Sequence, residues 1–506
     1  MTRLILGIDI GTSGCKTILA DEEGNILYSA VAEYPLYKPY PGWSEQRVED
    51  WWEGVKETLR EISGKTAGMT LSGISLSGQM HGLVALDLEK RVVRPAILWN
   101  DQRTKAQCDE ITEAAGGLDG LLKYTNNMML TGYTGGKILW LKQNEPENYD
   151  KTAVVLNPKD YIRFKLTGVV ATEVSDASGT GLFDVKNRGW AYELIEKTGL
   201  RRELFPTCLE STDRAGTVTE AAAEETGLPA GVPVYAGGGD AVISTTGAGL
   251  IKPGKIGITL GTSGVVALGL PAYAENRGGR LQLFCNNAPG TWMAFGCTLS
   301  AAGSYQWFRN ALGDCERMAE RNGGEDAYVQ LDRLALKAPA GSDGLLFLPY
   351  LTGERCPLFD PKARGGFIGA TADMKKAHFA RAVLEGVAYS MKHVYDLIAE
   401  CAAVESSSVV VSGGGAKSGL WRQILADVFQ LPVRTVHSSE AGGAYGAAMV
   451  AGVGCGIWAT PAEAMETIRT TSETGPNRQN AGTYRRLYGA YAKMYPALKW
   501  YFEGTP

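Results

Sequence analysis

The sequence predicts an α/β protein with two related domains. Its 506 residues correspond to two or three domains of about 150 residues each. Segments typical of strands and of helices alternate along the chain, which is the pattern of layered α/β folds. A short segment near the start also recurs close to the middle of the chain, and such a recurrence indicates a duplicated structural unit.

The elements of the first domain follow from residue type and spacing. Runs rich in β-branched and aliphatic residues, separated by turns rich in Gly, Ser, Asp and Asn, predict strands. These strands are expected at residues 4–10, 17–20, 26–33, 72–76 and 83–86. Apolar residues at helical spacing predict a helix over residues 48–62 with one buried face.

The recurring segment is Gly-Ile-Asp-Ile-Gly-Thr-Ser-Gly at residues 7–14 and Gly-Ile-Thr-Leu-Gly-Thr-Ser-Gly at residues 257–264. We interpret the copies as strand turns of two related domains that face a shared ligand, although two Gly-rich turns could also match by coincidence. Gly and Pro residues at 247–254 act as breakers between the copies. They predict an N-terminal domain of residues 1–248 and a C-terminal domain of residues 249–506.

Two segments of the second domain also stand out. A β-branched run at residues 408–412 predicts a strand that ends in three glycines, and a helix follows from about residue 420. Residues 442–448 are almost all Gly or Ala, which permits close packing or the close approach of a ligand.

Composition and charge exclude several classes of protein. Fifty basic and 55 acidic residues give a net charge of −5, which offers no footprint for nucleic acid or an anionic membrane. Nine scattered cysteines and four histidines show no zinc-site spacing. Asp9 interrupts the first apolar run before it reaches signal-peptide length, and no run is long enough to cross a bilayer. We therefore expect a cytoplasmic protein.

The two Gly-Thr-Ser-Gly turns are candidate phosphate sites. Backbone N–H groups and hydroxyls in such turns can point inward at an anion, which makes Thr12, Ser13, Gly261 and Thr262 candidate ligands of a polyphosphate. One such turn alone is more often a structural hairpin, whereas two turns can hold one polyphosphate from both sides.

Asp9 distinguishes the first copy from the second, where Thr259 takes its place. A carboxylate beside a phosphate turn is a typical ligand of Mg²⁺. The sequence therefore predicts a magnesium ligand at Asp9, the alternative being an Asp that caps its own turn.

Asp240 follows three consecutive glycines at the end of a predicted strand over residues 233–236. Without side-chain bulk beside it, this carboxylate could lie where two ligands meet and accept a proton from an attacking hydroxyl. Its ordinary pKa of about 3.9 makes it a weak base, so positioning would supply most of the catalysis. The alternative is a turn-forming Asp.

Gln79, Met80 and His81 lie between two predicted strands, and Trp99, Asn100 and Asp101 follow another. Hydrogen-bonding groups beside apolar faces suit a polyol or a sugar. His81 alone would more often be a structural residue. In the second domain, the Gly414-Gly415-Ala416 turn between strand and helix suits an adenosine.

Several longer motifs are similar to those of the FGGY family of carbohydrate kinases, and the resemblance runs essentially end to end. The family patterns match at residues 132–144 and 365–385, although Ala370 stands where a larger aliphatic residue is usual. Within the family, four segments point to the members that phosphorylate xylulose: residues 42–46, 79–82, 99–101 and 351–355.

The resemblance implies two actin-like ATPase (ribonuclease H-like) domains with ATP and sugar in a cleft between them. By that analogy Asp240 is the catalytic base and Asp9 is required for Mg-ATP. Met80 and His81 would contact the sugar, and Thr12 and Ser13 would lie near the transferred phosphate. The nucleotide would be held by Gly261, Thr262 and the turn formed by Gly414, Gly415 and Ala416.

The expected reaction is ATP-dependent phosphorylation of a ketopentose, with D-xylulose favoured. Ala241 departs from the family pattern, because Asn or Gln usually follows the catalytic Asp and helps to bind the sugar. Ribulose and erythritol therefore stay open, whereas Met80-His81 argues against glycerol. A sugar-independent actin-like ATPase is a second class, and an NAD-dependent dehydrogenase lacks its fingerprint. The sequence leaves monomer and homodimer open.

Overall fold

The computed structural model describes residues 2–65 and 70–504. Within them the strands are β1 Arg3–Ile10, β2 Gly14–Asp21, β3 Ile26–Glu33, β4 Glu45–Gln46, β5 Thr70–Gly78, β6 Val84–Leu86, β7 Ala96–Ile97, β8 Val154–Leu156, β9 Thr172–Glu173, β10 Phe183–Asp184, β11 Gly189–Trp190, β12 Cys208–Leu209, β13 Arg214–Thr217, β14 Pro233–Tyr235, β15 Gly238–Gly239, β16 Lys255–Leu260, β17 Gly264–Leu270, β18 Gln282–Cys285, β19 Trp292–Thr298, β20 Leu346–Leu348, β21 Gly366–Ile368, β22 Ser408–Ser412, β23 Val433–Val436 and β24 Thr470–Thr474.

The α-helices of the described residues are α1 Val48–Ser63, α2 Lys105–Ala114, α3 Leu118–Thr125, α4 Thr134–Asn144, α5 Pro146–Lys151, α6 Pro158–Thr167, α7 Val174–Ser178, α8 Tyr192–Lys197, α9 Glu220–Thr226, α10 Asp240–Gly247, α11 Ala302–Leu312, α12 Asp314–Arg321, α13 Ala327–Ala335, α14 Lys376–Ala402, α15 Gly419–Phe429, α16 Gly442–Gly454, α17 Pro461–Ala464 and α18 Ala481–Glu503. Short 3-10 helices lie at Arg202–Leu204, Arg277–Gly279, Ser342–Gly344, Gly414–Lys417, His437–Glu440, Met465–Thr467 and Arg478–Asn480.

The chain forms two compact units, each assembled from several chain segments. Unit 1 comprises Met1–Lys252, Gly269–Met293 and Glu440–Arg469. Unit 2 comprises Pro253–Leu268, Ala294–Ser439 and Thr470–Pro506. Unit 1 therefore contains segments from both sides of residue 248. The domain boundary expected at that residue stays a prediction.

Unit 1 is built on a mixed sheet with the strand order β13-β14-β5-β1-β2-β3. The β1–β2 and β2–β3 pairs are antiparallel, whereas β5 runs parallel to β1 and β14 runs parallel to β5. All five strands and the helix expected in this region are present, and α1 packs its buried face, including Trp51, Val55 and Leu59, into a core on this sheet. Fully burying a large apolar side chain contributes about 1.5–3 kcal/mol to folding.

Helix α16 belongs to the second core of unit 1. Its Ala444, Tyr445 and Ala448 are buried together with Ile5 and Ile18 of the sheet. Contact is close enough that a Cβ on Gly7 would lie only 1.9 Å from the Ala444 carbonyl oxygen. The small residues predicted to permit a close approach therefore serve helix–sheet packing.

Unit 2 repeats the central strand order of unit 1. Strands β17-β16-β22-β23-β24 follow one another in its sheet, where β16–β17 is antiparallel and β16–β22–β23 is parallel. The pairing types of β2-β1-β5-β14-β13 are the same, including an antiparallel last pair in each sheet. This agreement confirms the interpretation of the recurring segment as part of a duplicated unit.

A cluster of five charged side chains lies inside unit 1 with no solvent exposure: Lys159, Asp160, Arg163, Glu173 and Asp176. The Lys159 ammonium lies 2.7 Å from Asp160, 3.4 Å from Glu173 and 3.2 Å from Asp176. Arg163 adds an ion pair with Asp160 at 2.8 Å. Burial raises the pKa of Asp176 well above its usual range, since the buried charge is poorly solvated.

Candidate active site

Asp9 lies near the end of β1, beside Ser77 of the parallel strand β5. The Ser77 hydroxyl donates a 2.6 Å hydrogen bond to Asp9 Oδ1. Burial nevertheless raises the pKa of Asp9, because desolvation outweighs this bond and the charge of Lys16. One carboxylate oxygen is thus held by the protein, a geometry that fits a magnesium ligand completed by water and phosphate oxygens.

The equivalent pair in unit 2 carries no charge. Thr259 of β16 lies beside Ser412 of β22, and their hydroxyl oxygens are 3.1 Å apart. The duplication therefore includes the neighbouring strand as well as the turn, since Ser412 of β22 corresponds to Ser77 of β5. The recurring turn sequence alone does not reveal this pair of serines. Only the first copy presents a carboxylate at this position, which is the asymmetry that the sequence predicted.

Asp240 is the first residue of α10 and directly follows the short strand of Gly238 and Gly239. Its Oδ1 accepts a 2.7 Å hydrogen bond from the backbone N–H of Ala241. A Cβ on Gly239 would lie 2.5 Å from Met80 Cγ, so the glycine permits the Met80 loop to approach the carboxylate closely.

The surroundings of Asp240 change its expected chemistry. Desolvation raises the pKa of Asp240 to about 7, and the negative charge of Asp9 adds to the rise. The sequence had suggested an ordinary carboxyl with a pKa near 3.9. Burial and the second carboxylate, neither of which is visible in local sequence, bring the group to the range where a general base works near neutral pH.

The side chains of Thr12, Gln79 and Trp99 meet in one hydrogen-bond network. Trp99 Nε1 donates to Thr12 Oγ1 at 2.9 Å, and that hydroxyl donates to Gln79 Oε1 at 3.1 Å. Gln79 Nε2 in turn donates to Gln46 Oε1 at 2.9 Å. Gln79, whose side chain is only 1% exposed, therefore links the predicted phosphate turn to the predicted sugar loop. The side chain of Trp99 is 46% exposed.

His81 has a left-handed backbone, with φ of +68°. Its Nδ1 lies 2.6 Å from the carbonyl oxygen of Gly179, and because a carbonyl only accepts, Nδ1 carries the proton. In the neutral ring Nε2 is then an acceptor. The imidazole stacks on Tyr133 with ring centroids 4.7 Å apart.

Asp101 is fully buried and engaged by protein groups. Its carboxylate accepts hydrogen bonds from the Ser44 N–H at 2.7 Å and from the Arg103 guanidinium at 2.7 and 2.9 Å. The Arg103 guanidinium lies 3.5 Å from the centroid of Trp43. Neighbouring Asn100 is only partly exposed. Asp101 thus anchors the loop that carries Trp99.

The two predicted phosphate turns differ by one residue in hairpin register. In the first, Ile10 pairs with Cys15, and Gly11 N–H donates to Gly14 O at 3.0 Å. In the second, Leu260 pairs with Gly264. Ser13 and Thr262 are exposed at the two tips, so hydroxyls are available at each turn.

Unit 2 contains a cavity of about 360 Å³ beside the predicted nucleotide turn. Gly414 and Gly415 line it, together with residues that the sequence did not indicate: Ala302, Tyr305, Asp326, Tyr328, Val329, Asp332, Lys417, Ser418 and Trp421. Ala416 is buried next to the cavity wall, and its carbonyl oxygen accepts a 2.6 Å hydrogen bond from Arg422. Aromatic rings and Gly backbone are a typical wall for a planar base.

Asp332 is the acidic group in this cavity wall that the protein desolvates most clearly. Tyr305 donates a 3.0 Å hydrogen bond to Asp332 Oδ1, and burial raises the pKa of Asp332 above its ordinary value. Tyr305, Tyr328 and Asp332 come from two helices, α11 and α13, whose proximity no local sequence signal reveals.

The described residues hold neither a cluster of metal-binding side chains nor a membrane-spanning helix. They contain no group of three or more His, Cys, Asp or Glu side chains arranged to hold a metal ion. Among residues 2–65 and 70–504, none of the helices has the length and apolarity needed to cross a membrane.

Comparisons with known proteins agree with this architecture. A model of the FGGY family of carbohydrate kinases, N-terminal domain, matches residues 4–247, and the C-terminal domain model matches residues 256–455. The chain is 38% identical to a xylulose kinase of Bacillus subtilis (strain 168), over 98% of this chain and 97% of that protein. Identity to a xylulose kinase of Lactococcus lactis is 39%, over 97% and 96% of the two chains.

A solved structure of a xylulose kinase from Rhodospirillum rubrum superposes with a TM-score of 0.90 at 29% identity, covering 99% of this chain and 100% of that one. This likeness confirms the predicted two-domain kinase fold. Since both halves match the family models and relatives above 30% identity match nearly end to end, the chain belongs to the FGGY family of carbohydrate kinases.

Proposed function

We propose that this chain transfers the γ-phosphoryl group of ATP to a primary hydroxyl of D-xylulose, forming D-xylulose 5-phosphate. The observation that carries the proposal is the desolvated Asp240 beside Asp9, with the Met80–His81 loop packed against the turn that holds it. The names of the xylulose kinase relatives support the choice of sugar.

Asp240 is the general base in this proposal. With a pKa of about 7, its carboxylate is largely ionised at pH 8 and can accept the proton of a sugar hydroxyl. The alcohol is a much weaker acid, so proton transfer accompanies or follows attack on phosphorus. The protein's main contribution is then to hold the hydroxyl, the carboxylate and the phosphate in line.

Asp9 would hold Mg²⁺, and its Oδ1 bond to Ser77 orients the carboxylate for this role. When bound, Mg²⁺ neutralises the negative charge of the transferring phosphoryl group. Thr12 and Ser13 lie in the turn that follows Asp9. The Ser13 hydroxyl and the backbone N–H groups of this turn would donate hydrogen bonds to phosphate oxygens, because the Thr12 hydroxyl already donates to Gln79. Lys16, whose charge acts on Asp9, is another cation near this carboxylate.

Sugar recognition would rest on His81, Met80 and the exposed Trp99. The imidazole Nε2 would accept a hydrogen bond from a sugar hydroxyl, and the indole and thioether would contact its apolar faces. We assign Gln79 and Asp101 a supporting role, because their polar atoms bond to protein groups. Asn100 stays a candidate contact.

The nucleotide would occupy the unit 2 cavity. Adenine would lie among Tyr305, Tyr328 and Trp421, and the Gly414–Ala416 turn would contact the ribose and the first phosphate. A volume of about 360 Å³ is in the usual range of small-molecule sites. Gly261 and Thr262, at the unit 2 hairpin turn, would donate to the remaining phosphate oxygens.

Ala241 is the residue that bears most directly on the choice of sugar. It is exposed next to Asp240, and its methyl group cannot hydrogen-bond to a substrate. Loss of one hydrogen bond corresponds to about 0.5–1.5 kcal/mol of binding free energy. That difference is large enough to change which of several related pentuloses binds best. The sugars to be compared are therefore D-xylulose, D-ribulose, L-ribulose and erythritol.

The test is ADP release from Mg-ATP with each of these sugars, with glycerol and with no sugar. We expect strong stimulation by D-xylulose and little hydrolysis without sugar. Asp240→Asn should reduce sugar phosphorylation by at least about a thousand-fold while nucleotide binding persists. Asp119→Asn, at an exposed site in the first turn of α3, is the matched control.

Each outcome of this test decides something. Sugar-independent hydrolysis without stimulation would refute the kinase proposal and favour an actin-like ATPase. Preferred phosphorylation of ribulose or erythritol would retain the mechanism and reject D-xylulose. Turnover of Asp240→Asn within a few-fold of the parent enzyme would remove Asp240 from its role as base.

A further inference from the structure

Lys137 is a lysine of helix α4 that is fully buried. It belongs to the segment 132–144 that matches a family pattern, yet the proposed reaction gives it no part. Its ammonium donates to two backbone carbonyl oxygens, that of His81 at 2.7 Å and that of Gly132 at 2.6 Å. The first of these carbonyls belongs to the candidate sugar-binding histidine.

The environment of Lys137 is unfavourable for a positive charge. No carboxylate of the described residues forms an ion pair with it, since the nearby Asp101 is already bonded to Arg103. It also sits in the first turn of α4, where the helix dipole disfavours cations. Desolvation lowers the pKa of Lys137 to about 7. The burial of Lys137 is thus compensated through the two carbonyl oxygens to which it donates, and an apolar side chain would leave the Gly132 carbonyl without this donor.

The side chain of Lys137 donates to the backbone of His81, which has a left-handed conformation. A non-Gly residue at φ of +68°, as at His81, is in an unfavourable backbone conformation that persists only where its surroundings determine it. The His81 carbonyl oxygen accepts from Lys137 Nζ and also from Thr134 Oγ1 at 3.1 Å. The next carbonyl, that of Gly82, accepts from Asn157 Nδ2 at 3.1 Å.

The His81 ring is held separately from its backbone. Nδ1 donates to Gly179 O, and the ring stacks on Tyr133. These contacts, together with an edge contact to Phe284 at a ring-centroid distance of 6.3 Å, fit the left-handed conformation of His81, because a change of φ would swing the side chain away from them. Lys137 acts at the carbonyl that this rotation would move.

We infer that Lys137 is a positioning residue for sugar recognition, whose side-chain nitrogen donates to the His81 carbonyl and keeps His81 in the left-handed conformation that directs its imidazole to the substrate. The inference rests on the proposed sugar-kinase function and extends it to a residue that does not touch substrate. Lys137 acts through His81, so its removal weakens sugar binding and leaves the nucleotide site of unit 2 unchanged.

The main variant is Lys137→Met, which removes the charge and keeps the length of the side chain. Lys142→Met is its matched control, because Lys142 lies in the same helix and also donates to a carbonyl, that of Gly199 at 2.7 Å. At saturating ATP we expect Lys137→Met to raise the KM for the sugar about ten-fold or more. The KM for ATP should stay close to that of the control, even where loss of the buried bond to Gly132 lowers the melting temperature.

A double-mutant cycle tests whether the effect passes through His81. In a His81→Ala background, Lys137→Met should have little further effect on the sugar KM, because the imidazole it positions is gone. Additive effects would overturn the inference. An unchanged sugar KM in the single variant, or a parallel rise in the KM for ATP, would do so as well.

A spectroscopic measurement tests positioning without any sugar. In an NMR spectrum of the histidine ring resonances, the signal of His81 is the one that disappears in His81→Ala. Lys137→Met should shift this signal, while Lys142→Met should leave it unchanged. If Lys137→Met does not fold, Thr134→Val removes the second donor to the same carbonyl and should shift the same signal. An unshifted His81 signal refutes the inference. A shifted signal in a protein that phosphorylates no sugar would refute the proposed function alone.

Discussion

Gly443 of α16 supports the candidate metal ligand by lacking a side chain. A Cβ built on Gly443 would lie 2.3 Å from Ser77 Oγ and 2.9 Å from Asp9 Oδ1. Both contacts are far below ordinary van der Waals separation, and Gly443 is held on the packed α16–sheet core. The variant Gly443→Ala must therefore displace Ser77, Asp9 or both.

The size of the effect follows from the bond that is lost. To reach an ordinary contact distance, the Ser77 hydroxyl must move by about 1 Å, which breaks its 2.6 Å hydrogen bond to the Asp9 carboxylate. A hydrogen bond to a charged group contributes about 1.5–3 kcal/mol. If the oriented carboxylate matters in the transition state, kcat/KM should fall about ten- to 150-fold.

The assay is coupled ADP release with D-xylulose at several Mg²⁺ concentrations, since a displaced Asp9 should also raise the Mg²⁺ requirement. Gly489→Ala in α18, where a Cβ would meet nothing within 4 Å, is the control for a Gly-to-Ala change in a helix. In a Ser77→Ala background the Gly443→Ala penalty should shrink, because the closest clash is absent. Activity of Gly443→Ala within two-fold of the parent, at equal stability, would refute the reasoning.

The remaining predictions concern Asp240 and the cavity of unit 2. Because Asp240 must be ionised to accept a proton and its pKa is raised to about 7, kcat/KM for the sugar at saturating Mg-ATP should rise with pH, from about one tenth of its plateau at pH 6. A profile that is flat between pH 6 and 8 would contradict this assignment. Tyr328→Ala removes an aromatic wall of the cavity and should raise the KM for ATP about five-fold or more without changing the KM for the sugar. An equal change in both constants would show that the cavity is not a separate nucleotide site.

The local sequence pattern was sufficient to predict the secondary structure around the candidate site. The strands at residues 4–10 and 26–33 and the helix from residue 48 form where expected, because hydrophobic periodicity and turn residues act over short stretches. The recurring turn also predicted the duplicated strand order, since equal sequences in two copies fold by the same local rules.

The assembly of the units required tertiary information. The segments Gly269–Met293 and Glu440–Arg469 join unit 1, although no local signal assigns either of them to that unit and the Gly/Ala run at residues 442–448 indicated only close packing or ligand approach. Tyr305 and Tyr328 likewise reach their sites through the packing of α11 and α13. An aromatic residue in a helix looks the same in sequence whether it packs in a core or lines a cavity.

Residue type indicated which side chains could bind a ligand, but not which partner each would find. Asp101 and Gln79 have the polar atoms that a sugar site needs, but both use them in hydrogen bonds within the protein. Asp101 bonds to Ser44 and Arg103, and Gln79 bonds to Gln46. The pKa of Asp240 depends on burial and on Asp9, which is distant along the chain. Sequence therefore singled out both candidate carboxylates, Asp9 and Asp240, and missed the raised pKa of Asp240.

The buried cluster around Lys159 has a consequence for proton uptake during folding. Lys159 and Arg163 balance Asp160 and Glu173, so a protonated Asp176 makes the cluster neutral, as its raised pKa requires. In the unfolded chain Asp176 ionises at its ordinary pKa near 3.8. At a pH between that value and the raised pKa of the folded protein, unfolding therefore releases a proton from this position, and its contribution to stability falls as pH rises through this interval. Calorimetric unfolding enthalpies should accordingly depend on the ionisation enthalpy of the buffer.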